Sequence, residues 1–172
     1  MASMTGCRQQ ANYKYSEKET EQFLNEITKN AKVGITDITE IKKQPTDKFG
    51  ILTRCALSKK QLEEYNNNNH SIINKDDDIS DFTTYVFKDY ELVNEKNEKL
   101  QFVDKGRAVY LQEFGLWTYD NILCQNLGID IDLDKKFEKL KGYIIIEFEM
   151  PKKKKKEVKI PVDISIYDRL DE

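Results

Sequence analysis

The chain has 172 residues, 38% of them apolar and 34% charged, enough to close one core beneath a very wet surface as a single domain with at most a small appendage. Its 28 Lys and Arg against 31 Asp and Glu leave a net charge of −3, which argues against a protein built to grip nucleic-acid phosphates. The most apolar stretch, Gly142 to Met150, falls far short of the roughly 18 residues a membrane-spanning helix needs, and the single histidine, His70, excludes multi-histidine metal sites and argues against a histidine-centred triad.

The first six residues, Met-Ala-Ser-Met-Thr-Gly, resemble the opening of a phage major-capsid leader used as an expression tag, and are set aside from the fold. Behind them, Thr5-Gly6-Cys7 followed by the polar run Arg8-Gln9-Gln10-Ala11-Asn12 resembles the start of a mature bacterial lipoprotein. In that family a signal peptide is cut just before a cysteine whose thiol then carries diacylglycerol. The resemblance implies Cys7 as the lipidation site, a lipid anchor in the cell envelope, and residues 7–14 as a flexible tether. The alternative is an exposed cysteine with no role, in a cytoplasmic protein. With Cys7 acylated, Cys55 and Cys124 would remain as a pair. A disulfide between them would close a loop of about 70 residues, worth ~4 kcal/mol in chain-entropy terms. Otherwise both are buried small hydrophobes.

Ser16 with Glu19 three positions on forms a capping-box pattern, and Phe23, Leu24, Ile27 and Ala31 follow at helical spacing, so residues 17–31 are expected to form one amphipathic helix. The period then switches to two. Val33 and Ile35, then Phe49, Ile51, Thr53, Cys55 and Leu57, predict an antiparallel hairpin of 33–42 and 49–57 around the turn at Gln44-Pro45-Thr46-Asp47, with a bulge near Thr36-Asp37. Residues 59–81 hold Asn66-Asn67-Asn68-Asn69 and Asp76-Asp77-Asp78. Beyond a short helical turn through Leu62 and Tyr65, a mobile loop is expected there.

From Phe82 on, strands dominate: 82–93, a hairpin tip at 94–98, a turn at Asp104-Lys105-Gly106 and another strand at 108–114. Residues 116–127 are ambiguous between strand and short helix, and Trp117, the only tryptophan, is expected as a core anchor. The clearest pattern is the last. Ile144, Ile146, Phe148 and Met150 alternate with polar neighbours, then Val158, Ile160, Val162, Ile164 and Ile166 do the same, with Pro161 marking an edge or a bulge. The expected fold is therefore mainly β (α+β): an antiparallel sandwich, immunoglobulin-like or transthyretin-like, over residues 15–172, with one N-terminal helix.

Candidate chemistry is sparse. Asp130, Asp132 and Asp134 imitate the start of a calcium loop, but Lys135 stands where the loop needs glycine and Lys141 where it needs glutamate. A strand with a wet acidic face is the simpler reading, and no metal or cofactor is expected. Glu147 and Glu149 share a strand face and read as solvated. No Gly-rich phosphate loop and no nucleophile elbow occurs, so no catalytic residue is assigned. The five lysines Lys152, Lys153, Lys154, Lys155 and Lys156 could touch an acidic partner or lipid headgroups at ~1 kcal/mol each, or simply solvate a hairpin and block edge aggregation. Nine Tyr and eight Phe supply amphipathic contact area; Tyr85, Tyr90, Tyr110 and Tyr119, with Tyr167, fall on or near expected strands. The leading expectation is a non-enzymatic protein-interaction domain of an envelope lipoprotein, either an assembly component or a toxin-immunity protein, with a protein partner and no nucleic acid. The rivals are a cytosolic adaptor or inhibitor, and a small-ligand carrier or unrecognised enzyme.

Overall fold

A computed structural model describes residues 12–36, 44–72, 78–104, 106 and 109–168. Helix α1 (Glu17–Asn30) begins at the expected capping box: the Ser16 amide donates to Glu19 Oε2 at 2.7 Å and the Glu19 amide to Ser16 Oγ at 3.2 Å. Its Phe23, Leu24 and Ile27 are buried, each burial contributing roughly 1.5–3 kcal/mol over leaving the side chain in water. Strands β1 (Lys32–Gly34) and β2 (Thr46–Ala56) pair antiparallel with Val33 opposite Ile51, as the alternation requires. The expected bulge at Thr36-Asp37 runs into residues 37–43, outside the described residues.

The segment expected as a mobile loop is partly helical. Helix α2 (Lys59–Asn67) is started by a second capping box, Ser58 with Gln61, and a 3-10 turn covers Ile79–Phe82. The asparagine run is thus the tail of a capped helix, closed by His70, whose amide donates to the Tyr65 carbonyl. Strands β3 (Thr84–Asn94), β4 (Gln112–Tyr119), β5 (Ile122–Phe137), β6 (Lys139–Met150) and β7 (Lys154–Ser165) complete the fold. The ambiguous 116–127 stretch is the β4–β5 hairpin. Its two-residue turn, Asp120-Asn121, has φ of 48° and 64°, the left-handed pair that suits Asp and Asn and matches strand twist.

All pairings are antiparallel, in two sheets ordered β1-β2-β5-β4 and β3-β6-β7. That is the strand order of the seven-stranded immunoglobulin sandwich. Phe49, Ile51, Leu127 and Ile129 from the first sheet and Ile144, Ile146, Phe148 and Ile160 from the second share one core. Helix α1 packs on β2 and β7 and so bridges the layers. Pro161 lies on β7, an outer strand, where its missing amide proton costs no ladder bond on the open side.

Expectations at Trp117, on the aspartate face and at Tyr13 are corrected, and the two cysteines take the second of their two readings. Trp117 is no core anchor: it is 67% exposed, because it sits opposite Cys124 while its neighbour Leu116, opposite Gln125, takes the inner position. Cys55 and Cys124 are buried but free. Cys55 pairs with Gln125 and Ala56 with Cys124, so the two thiols project to opposite faces of the sheet and no disulfide closes in this register. The aspartate face is not uniformly wet, since Asp132 is buried, with the Val103 amide donating to its carbonyl as the 101–103 segment runs beside β5. Tyr13, placed in the tether, is docked on the domain, edge-on to Phe82 at 5.1 Å and hydrogen-bonded to Thr20.

Candidate functional site

Strand alternation sends one set of side chains of the first sheet outward, and there a groove of about 390 Å³ opens. Its wall is aromatic and aliphatic: Leu52 from β2 and Phe114, Trp117 and Tyr119 from β4. A bulge builds it. The β4–β5 register shifts between Glu113 and Gly115, and Gly115 adopts φ +118°, which leaves Phe114 as the extra residue. Its ring lies over Gly128, where a side chain would collide with it. Phe114 and Ile122 are 46% and 55% exposed; Phe114 lies with Trp117 on the outer strand β4, and Ile122 opens the adjoining β5.

The polar part of the groove is organised around Arg54. Its guanidinium carbon stands 3.6 Å above the centre of the Tyr119 ring, and the Tyr119 hydroxyl donates to Asn126 Oδ1 at 2.9 Å. Cation–π contact and the hydroxyl anchor hold ring and guanidinium in fixed mutual geometry. Lys32 adds a second cation at the rim, and among the described residues the lining contains no carboxylate, thiol or imidazole.

A second polar cluster lies at the end of the sandwich. Gln125 Nε2 donates to Asp78 Oδ2 at 3.1 Å and to Glu113 Oε2 at 3.2 Å, Gln61 also reaches Asp78, and the Cys55 thiol contacts Gln125 Oε1 at 3.8 Å. Burial, with the Asp78 charge adding to it, pushes the Cys55 thiol upward, which keeps it protonated and unreactive. Burial and then Asp78 likewise push the Tyr15 phenol up to about 12. This cluster ties the start of the 3-10 turn to the sheet.

The other residues singled out from the sequence are scattered. Tyr85 and Tyr90 are packed against the core. Tyr90 stacks on Phe102 at 3.7 Å and accepts its amide proton. Tyr110 is half-buried and bridges to Thr84. Only Tyr119 lies in the groove. Of the lysine run, Lys152 and Lys153 belong to the β6–β7 turn and Lys154, Lys155 and Lys156 to β7. Lys154 pairs with Glu17 and, at 3.3 Å, with Glu21; Lys156 bonds Asn25; Lys155 lies 3.7 Å from Glu147 and 3.8 Å from Glu149. Hydrogen bonds to the two glutamates raise the Lys154 ammonium, and the same contact lowers Glu17. Two of the five lysines, Lys154 and Lys156, thus clamp α1 to the second sheet. No cluster of His, Cys, Asp or Glu among the described residues could hold a metal, and Cys7 lies outside them.

No protein-family model, curated protein or solved structure matches the chain.

Sequence reasoning missed Arg54, Leu52, Phe114 and Trp117 as a unit. The available signal was Gly115 beside Phe114 in a strand-like run, since an isolated glycine there often marks a bulge.

Proposed function

We propose that the chain is a non-enzymatic protein-interaction domain that docks a partner protein on the outer face of its first sheet, in a bacterial envelope lipoprotein anchored through Cys7. The observation that carries the interaction reading is the exposed Trp117 beside a preformed groove. A lone tryptophan, costly to leave in water and flanked by Phe114 and Ile122, is the composition of an interface centre and not of an ordinary solvated sheet. The edge adds to it: among the described strands β4 has a ladder partner on one side only, and it carries neither lysine nor proline to discourage a further contact. The envelope reading rests on Thr5-Gly6-Cys7 and the polar residues behind it. An acyl-bearing cysteine would supply the anchor, and among the described residues no helix is long and apolar enough to cross a membrane.

A cytosolic adaptor using the same groove is the second reading. The free, oppositely facing Cys55 and Cys124 favour it, because they remove the disulfide that would have argued for export.

One pair of experiments separates the parts. A photo-crosslinking residue at position 117 of the protein, expressed in its native host, should trap a defined partner, while the same residue at position 143 on the second sheet should not. Equal trapping from both positions would refute the groove as the docking face. Feeding a labelled fatty acid to cells carrying the full-length gene should label the wild type and not Cys7→Ala; an unlabelled wild type would move the domain to the cytosolic reading.

A further inference from the structure

Resting on that docking reading, the geometry points to the chemistry of the partner: we infer that the groove receives an extended acidic segment, with a carboxylate on Arg54 and an adjacent apolar side chain against Trp117 and Phe114. Three observations converge on it.

First, among the described residues the cations of the groove meet no carboxylate. The chain has more acidic than basic residues, yet the groove lining contains Arg54 and Lys32 and, among the described residues, no acid. Neither cation forms an ion pair with a described residue, unlike Lys154 and Lys155 on the other sheet. Glu26 is not part of the lining; its Oε2 accepts the Ala56 amide at 2.8 Å.

Second, Arg54 is pre-oriented. Stacked 3.6 Å above Tyr119, its guanidinium offers one face to the ring and keeps its in-plane donors for a ligand. That fork matches the two oxygens of a carboxylate, and holding it in place lowers the ordering cost of binding. The stack is itself supported from below by the bond from Tyr119 to Asn126.

Third, the apolar wall adjoins the cation. Leu52, Phe114 and Trp117 border the same groove of about 390 Å³, room for a few side chains and not for a folded element. An extended segment with an apolar residue two positions from an acidic one would present both on its groove-facing side. A bare anion would use Arg54 and leave the aromatic wall wet.

The test uses three pools of blocked nine-residue peptides, identical except that the residue two positions from each valine or leucine is Asp, Asn or Lys. Because Trp117 is the only tryptophan, its fluorescence reports occupancy of this groove directly. The Asp pool should shift Trp117 emission and bind at least tenfold tighter than the Asn pool, with the preference shrinking as salt rises, and the Lys pool should be silent. Arg54→Gln should abolish the tenfold preference, Lys32→Gln should reduce it, and Lys155→Gln should leave it intact. Arg54→Lys keeps the charge but loses the planar stack, and should fall between wild type and Arg54→Gln. Equal affinity for the Asp and Asn pools, or no binding by any pool, would overturn the acidic-segment assignment. An Arg54-dependent shift with phosphatidylglycerol vesicles but not with peptides would overturn it too, in favour of a lipid surface. None of these failures touches the crosslinking result at position 117, which alone decides whether this face docks a protein.

Discussion

On the outer face of the second sheet, Glu147 lies between Lys88 and Lys155, Glu149 meets Lys155, and Lys159 stands 4.3 Å over the Tyr143 ring, whose hydroxyl donates to Asp89. On the outer face of the first, Trp117, Phe114 and Ile122 are exposed and Arg54 meets a ring instead of a carboxylate. The edges differ in the same sense. The outer strand β7 carries Lys155, Lys156, Lys159 and Pro161, whereas β4 reads Gln-Glu-Phe-Gly-Leu-Trp-Thr-Tyr. One side of the sandwich is finished against further contact and the other is left unfinished. In a stable domain an unfinished side marks where binding energy is available, because exposed aromatic area and unpaired charge are stabilised only when something covers them.

That contrast can be attacked through each sheet separately. The largest effect is expected at Gly142 in β6, where φ is +139° and a side chain would run into the Glu91 carbonyl of β3. Gly142→Ala combines backbone strain with a collision against main chain, and should cost about 3–5 kcal/mol, lowering Tm by about 10 °C or more. A melting curve that does not move would mean the β3–β6 register is not as described. In the first sheet Gly128 is closed by the Phe114 ring and by the Ile51 carbonyl, which a Cβ there would approach to 2.6 Å. Gly128→Ala should therefore expel Phe114 from the groove as well as destabilise the sheet.

Trp117→Ser should show the opposite balance. With the side chain 67% exposed, stability should change by less than about 0.5 kcal/mol, while partner affinity should fall by about 2 kcal/mol or more, as for a buried interface anchor. Calorimetry of the variant with binding measured alongside would check both halves. A large loss of stability without a loss of binding would return Trp117 to a structural role. Lys155→Gln is the counterpart on the finished face. Exposed pairs of this kind contribute about 0–1 kcal/mol, so a small, salt-sensitive drop in stability and unchanged binding are expected. Binding that follows Lys155 would shift the docking face to the second sheet.

How much of this the sequence carried depends on whether alternation survives along each strand. It survives in β6 and β7, so Ile144, Ile146, Phe148, Ile160 and Val162 were all legible as core, and α1 was legible from Ser16, Glu19 and its apolar spacing. It fails at two bulges. Between Phe87 and Asp89 the β3 register shifts, which puts Tyr85 and Tyr90, an odd number of residues apart, against the same core. At Phe114 the same slip brings Phe114 and Trp117 onto one outer face. Extra residues of this kind leave little trace in a hydrophobic pattern, and both misjudged aromatic groups lie beyond one. Helix α2, legible only as a short turn through Leu62 and Tyr65, is longer for another reason: its asparagines extend a helix whose signal lies in the Ser58–Gln61 capping pair.

A further effect, of opposite sign, concerns the hairpin turns of the two sheets. Asp120-Asn121 and Lys152-Lys153 both place consecutive residues at positive φ, 48° and 64° against 62° and 58°. Asp and Asn tolerate that region through local side-chain hydrogen bonding, whereas lysine has no such compensation. The second sheet thus keeps an unfavourable turn where the first has a suitable one. Lys152→Asn with Lys153→Gly should stabilise the domain by about 1 kcal/mol, read from denaturant midpoints at unchanged slope. No gain would mean that the two ammonium groups already offset the strain through charges around the turn. A gain in stability accompanied by easier aggregation would assign the lysines to protecting the finished side, at a cost in turn energy that the unfinished side does not carry.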